Sequence, residues 1–113
     1  IGTDTENRLF QQITKLLEAN HGHISRKKLS DALSYSGTYL NAICKKYSGL
    51  SLFDYGMHFC MKEASIRLLD TDQTIADISR DLGFTNQTHF YKVFKEKYKM
   101  TPMQYRKQNQ TKE

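Results

Sequence analysis

The chain has 113 residues, of which 38% are hydrophobic and 26% charged, with a formal net charge of +5. This is one domain's worth of sequence, each half of it too short to bury a large core without a shared brace. No apolar run approaches the roughly 18 residues of a membrane span and the start lacks a signal-peptide pattern, so no membrane partner is expected and the cytoplasm is the expected compartment.

Thr3 and Glu6 form a capping box ahead of Leu9, Phe10, Ile13, Leu16 and Leu17, which share one face of a first helix closed by Gly22. Residues 25 to 34 form a second helix, and Ser36 starts a third that runs to about Tyr47 and stops at Ser48-Gly49. Ser51 caps a long fourth helix to about Asp70, in which Leu52, Phe53, Tyr55, Phe59, Met61, Ala64, Leu68 and Leu69 spread apolar surface around much of the circumference. Such a helix is expected to brace both halves. Thr74 caps the fifth helix and Asn86 the sixth. In Thr101-Pro102-Met103-Gln104 the threonine caps the last helix, the proline fits its first turn, and the glutamine can reach back to the free amide.

No segment reads as a strand. The expected fold is all-α: about seven helices in two helix-turn-helix subdomains, joined by a long central linker helix. The expected domain is 1–110, with a first lobe at about 5–50, the linker helix at 51–70, a second lobe at 72–108 and a polar tail at 109–113.

The chain repeats itself about 50 residues apart. Leu29-Ser30, Leu33, Tyr39-Leu40, Ile43 and Cys44-Lys45 are answered by Ile78-Ser79, Leu82, His89-Phe90, Val93 and Phe94-Lys95, with one extra residue in the second turn. Each copy is a short helix, a tight turn and a second helix with apolar residues at i, i+3 and i+4, the layout of a helix-turn-helix. Charge follows the repeat. Residues 25–49 carry five Lys and Arg against one Asp and residues 86–109 six against one Glu, whereas residues 50–85 carry three against six acids. Two basic clusters that each coincide with a candidate recognition helix point to DNA.

On the sixth helix Phe90, Val93 and Phe94 mark the inward side, which turns Thr88, Lys92 and Lys95 outward at about 100° per residue, flanked by Gln87, His89 and Tyr91. DNA-reading helices enter the groove by their N-terminal end, so Gln87, Thr88, Tyr91 and Lys92 are the base-edge candidates, with His89 at the margin. Gln can pair with adenine, Lys with guanine, and Thr with several base edges or a thymine methyl. On the third helix Thr38, Asn41, Ala42 and Lys45 face out, a thinner set in which Asn41 suits adenine and Ala42 can meet a methyl group. The second unit is therefore expected to read more sequence than the first. Lys45, Lys46, Lys95 and Arg106 are expected at phosphates, with the helix N-termini at Ser36 and Thr101. A linker helix of 20 residues spans about 30 Å, close to the roughly 34 Å of one DNA turn, so one chain could grip successive major grooves.

The run Ile75-Ala76-Asp77-Ile78, Leu82-Gly83-Phe84-Thr85-Asn86-Gln87-Thr88-His89-Phe90, Val93-Phe94-Lys95, Thr101-Pro102 and Tyr105-Arg106 resembles the DNA-binding domain of the AraC/XylS family of bacterial transcription regulators. Ser36, Tyr39-Leu40, Lys45-Lys46, Gly49-Leu50-Ser51, Tyr55 and Ala64 fit more loosely, so the resemblance covers roughly residues 5 to 107. It implies a two-lobed, seven-helix domain that binds promoter DNA and often activates transcription by contacting RNA polymerase. Three positions depart from the pattern: Cys44 stands where the family usually has Phe, Gly56 where it has Leu, and Cys60 where it has Arg. Gly56 inside a helix costs about 1 kcal/mol relative to Ala, which would soften the start of the linker helix.

Other chemistry is not expected. Cys44 and Cys60 lie on apolar stripes without metal-ligand spacing and read as reduced packing residues. His21-Gly22-His23 offers two ligands in a loop and no partners, His58 and His89 lie far apart, and no phosphate loop, nucleophile elbow or acid/base pair is present. Neither an enzyme nor a cofactor is implied. An RNA-binding module would need an aromatic sheet or GxxG loop, and a protein-docking module would leave the coincidence of repeat and lysines unexplained. The chain starts at Ile1 rather than Met, which suggests a piece of something longer; the resemblance implies that signal sensing, and with it any dimerisation, belongs to a region before Ile1, and the fragment itself is expected to be monomeric.

Overall fold

The computed structural model describes residues 3–109. They form α1 (Asp4–Ala19), α2 (Arg26–Leu33), α3 (Gly37–Ser48), α4 (Leu52–Asp70), α5 (Ile75–Asp81), α6 (Gln87–Tyr98) and α7 (Pro102–Asn109), with no strand among the described residues. The chain divides into two units, Ile1–Phe59 and Cys60–Glu113, and the boundary falls inside α4. The last helix continues through Asn109 into the expected polar tail, and residues 110–113 lie outside the described residues.

Each helix begins where a side chain can satisfy a free amide. Thr3 Oγ1 accepts from Glu6 N at 3.0 Å, Ser25 Oγ from Lys28 N at 3.0 Å, and Ser36 Oγ from Tyr39 N at 3.1 Å. Ser51 Oγ and Thr74 Oγ1 accept from Asp54 N and Asp77 N at 3.0 Å, and Asn86 Oδ1 from Thr88 N at 2.8 Å. At α7 the box is reciprocal, with Gln104 N donating to Thr101 Oγ1 at 3.1 Å and Thr101 N to Gln104 Oε1 at 2.9 Å. At α1 the Glu6 carboxylate instead accepts from Lys46 Nζ at 2.8 Å and Tyr47 OH at 3.2 Å, because the end of α3 packs there.

In the first unit Leu9, Ile13 and Leu17 of α1 pack with Leu29, Leu40, Ile43, Cys44 and Leu52. Phe10 stacks between Tyr47 and Tyr55, each at 5.5 Å, and Thr14 Oγ1 lies 2.9 Å from Tyr55 OH. Gly56 lets α4 approach the α1–α2 loop: a β-carbon there would sit 3.3 Å from Gly22 O and 3.5 Å from Leu17 Cδ2.

In the second unit Cys60, Met61, Ala64 and Leu68 of α4 are buried, as are Ile75, Ile78, Leu82, Phe90, Phe94 and Pro102. Phe94 contacts Phe90, Tyr98 and Tyr105, at centroid distances of 6.0, 4.6 and 5.4 Å. Tyr98 OH donates to Met61 O at 3.3 Å.

Not all of the apolar surface spread around α4 is covered: Phe53 is 68% exposed and Leu69 37%.

Candidate nucleic-acid interface

The two helix-turn-helix units are built by different turns. In the first unit α2 stops at Ser34, which takes the left-handed conformation (φ 63°) and donates its N–H to Ser30 O at 2.8 Å. Ser30 Oγ then donates to Tyr35 O at 2.5 Å. In the second unit Gly83 takes the left-handed position (φ 94°), and Phe84 N donates back to Ser79 O at 3.0 Å. The extra residue of the second turn accompanies this wider closure, where glycine avoids the steric cost of a positive φ.

On α6 the burial follows the expected pattern. Phe90 and Phe94 are buried, Val93 and Tyr91 half-buried, and Gln87, Thr88, His89, Lys92 and Lys95 exposed. Gln87 and Thr88 occupy the first turn, and Asn86 Oδ1 holds the Thr88 and His89 amides at 2.8 and 3.3 Å. His89 stands edge-on to Phe84 at 5.4 Å, and Tyr91 edge-on to Phe90 at 6.4 Å. Lys92 and Lys95 form no ion pair with the described residues.

On α3 Thr38, Ala42 and Lys45 are exposed, as expected. Asn41 is only half-exposed, and its Oδ1 accepts from Leu52 N at 2.7 Å. Bidentate pairing with adenine needs that oxygen and the amide nitrogen together, whereas here the oxygen caps the first turn of α4.

The phosphate set also divides. Lys45 is exposed, while Lys46 is tied to Glu6 at 2.8 Å. That contact holds the Glu6 carboxyl below its ordinary range and raises the Lys46 ammonium above its own. Ser36 and Thr101 hold the starts of α3 and α7 as caps. Arg106 faces inward: Nε donates to Leu68 O at 2.8 Å, and Nη2 to Thr71 O at 3.2 Å and Arg67 O at 3.5 Å. Expected at a phosphate, it here holds the carbonyl end of α4, where a cation also suits the helix dipole.

Tyr35 and Tyr39 lie beside the expected contacts of α3 without being among them. Both are exposed, at 40% and 38%, with ring centroids 5.2 Å apart at the mouth of α3. The repeat register carried the signal, since Tyr39 falls where His89 stands on Phe84 in the second copy. The cysteines are free and buried, and burial raises both thiols, Cys60 to about 11. No group of three or more His, Cys, Asp or Glu side chains among the described residues could hold a metal ion, and no described helix is long and apolar enough to cross a membrane.

Comparison with known proteins agrees with this architecture. The "Helix-turn-helix domain" family matches residues 29–108. The regulatory protein PocR of Salmonella typhimurium is 34% identical over 101 residues, covering 86% of this chain and 33% of PocR. The chain spans about a third of the length of the curated relatives it matches first.

Among solved structures, the C-terminal domain of the two-component response regulator YesN from Fusobacterium nucleatum is 31% identical with a TM-score of 0.75, covering 85% of this chain and 95% of that one. An AraC-type DNA-binding regulator from Chromobacterium violaceum shares the fold with a TM-score of 0.85 at 22% identity, covering 97% of this chain and 100% of that one. With seven helices in the described residues and a helix-turn-helix in each half, this chain belongs to the AraC-type helix-turn-helix family of bacterial DNA-binding transcription regulators.

Proposed function

We propose that the chain binds double-stranded promoter DNA sequence-specifically in the bacterial cytoplasm, inserting α3 and α6 into successive major grooves, and that it works as a transcription activator rather than an enzyme. The observation that carries this reading is that the exposed polar face of each second helix falls within a basic segment, while the acidic stretch lies between them. The 19 residues of α4 amount to about 28 Å of helix, near the rise of one DNA turn.

Gln87, Thr88, Tyr91 and Lys92 read bases from α6 with His89 at the edge, and Thr38 and Ala42 contribute less from α3. Lys45 and Lys95 meet phosphates, as do the capped starts of α3 at Ser36 and α7 at Thr101, and Lys46 does so in competition with Glu6. RNA polymerase is the proposed partner in activation. The chain acts as a monomer, and because it spans about a third of the length of its first relatives, dimerisation and signal sensing are left to the rest of a longer protein.

The test is selection of duplexes from a random pool, followed by footprinting. The expected footprint covers two major-groove segments about 10 base pairs apart. Gln87→Ala or Lys92→Ala should relax preference at one or two base pairs, each contact discriminating by about 1–3 kcal/mol. A footprint confined to one groove, or an unchanged motif for both variants, refutes the assignment.

A further inference from the structure

We propose that Arg26, laid across Gly37, is a further phosphate contact of the first helix-turn-helix, and that residue 37 is glycine to make that seat. The inference rests on the DNA-binding reading above and extends it to residues that reading does not use.

Arg26 opens α2 and Gly37 opens α3. A β-carbon on Gly37 would overlap Cγ and Cδ of Arg26 and fall 3.3 Å from its Nε. The arginine stem therefore runs over the bare α-carbon, and the guanidinium is brought beside the first turn of α3, the end that meets DNA in a helix-turn-helix. No positive φ calls for glycine at this position, whereas Gly22, Gly49 and Gly83 all have one. An ordinary helical residue would fit the backbone of Gly37 but would evict the arginine.

The electrostatics give the seat no folding purpose. A helix N-terminus carries partial positive charge, so a cation there is disfavoured. The first turn of α2 nonetheless holds Arg26, Lys27 and Lys28 and no acid. Lys27 finds Asp31 at 3.1 Å, but Arg26 forms no ion pair with the described residues. A guanidinium fixed at the positive ends of two helices lacks an anion, and a DNA phosphate supplies one with matching two-pronged geometry. Glycine here fixes the arginine's direction before binding, so less side-chain freedom is lost in the complex.

The experiment compares the unaltered chain with Arg26→Ala, Gly37→Ala and the double variant on a duplex selected by the unaltered chain, across a salt series, with thermal unfolding alongside. Arg26→Ala should weaken binding on the order of tenfold and flatten the slope of log K against log salt by about 0.9. Gly37→Ala keeps every charge and replaces glycine by a better helix former. Its unfolding midpoint should hold or rise while its affinity falls about threefold and its salt slope moves toward that of Arg26→Ala.

The double variant should bind no worse than Arg26→Ala alone, because the alanine acts only through the arginine. Unchanged affinity and slope in Arg26→Ala overturns the contact, and full affinity in Gly37→Ala overturns the seat. If the unaltered chain recovers no duplex at moderate salt, the DNA-binding reading itself fails, and this inference with it.

Discussion

The carboxamide oxygen of Asn41, on α3, accepts the backbone N–H of Leu52 at 2.7 Å, so a residue of the first recognition helix closes the first turn of the linker helix. Ser51 Oγ takes the Asp54 amide of the same turn at 3.0 Å. Two of the amides that an α-helix leaves unsatisfied at its start are thus served by different elements.

Asn41→Ala should therefore cost about 1 kcal/mol of stability, the usual loss for removing a capping oxygen. Asn41→Asp keeps the acceptor and adds a negative charge at the positive end of α4, so its stability should match or exceed that of the unaltered chain. Urea unfolding of both variants checks this. A stable Asn41→Ala that loses an adenine preference in duplex selection would return the residue to base reading.

Arg106 serves the other end of α4. Its guanidinium donates to Leu68 O, Thr71 O and Arg67 O, and Arg67 itself holds Glu63 at 2.8 Å. Arg106→Ala leaves those carbonyls without charged donors, at a cost of about 2–3 kcal/mol. Arg106→Lys should recover only part of it, because an ammonium cannot reproduce the planar fork. The salt dependence of DNA binding should stay unchanged in both. A flattened slope with normal stability would instead place Arg106 at a phosphate.

The contrast between these residues and the rest shows what the sequence makes legible. Thr3, Ser25, Ser36, Ser51, Thr74, Asn86 and Thr101 each accept the amide of a residue two or three places on, so local spacing suffices to find the helix starts. The inward faces of α3 and α6 follow from periodicity in the same way. Asn41 and Arg106 escape that logic because their partners lie 11 and up to 39 residues away. A helical wheel gives a side chain's direction but not which distant backbone lies there. Phe53 shows the same limit in reverse: the apolar pattern of α4 is read correctly, yet nothing local says which part of its circumference stays uncovered.

Gly56 offers a test of packing against propensity. Alanine would gain about 1 kcal/mol as a helix former, but its β-carbon would sit 3.3 Å from Gly22 O. That carbonyl is backbone, in a loop where Gly22 has φ 75° and donates to Leu17 O at 2.7 Å, so it gives way poorly. Gly56→Ala should be close to neutral or destabilising by up to about 1 kcal/mol as the two effects oppose. Gly56→Leu should destabilise by about 3 kcal/mol or more through overpacking. Thermal unfolding of the pair decides it, and a stabilising leucine would mean that the loop around Gly22 moves freely.

The Glu6–Lys46 contact makes part of the stability depend on pH. The hydrogen bond from Lys46 holds the Glu6 carboxyl below its ordinary 4.5, and the same bond lifts Lys46 above 10.5. A carboxyl depressed by folding binds its proton more weakly in the folded state, so acid favours the unfolded chain. Its contribution is complete above pH 4.5 and erodes as the pH falls through the lowered value; the lysine's is complete below pH 10.5 and is lost as the pH rises through the raised one. Glu6→Gln should therefore be less stable than the unaltered chain at neutral pH, with a gap that narrows as acid protonates Glu6. Urea midpoints at about pH 7 and about pH 3 test the sign, and a gap independent of pH would assign the contact to hydrogen bonding without charge. The same variant separates the two roles of Lys46. With Glu6 neutral, an ammonium that meets phosphate should steepen the salt slope by up to about 0.9. An unchanged slope would leave Lys46 as a tie between α1 and α3.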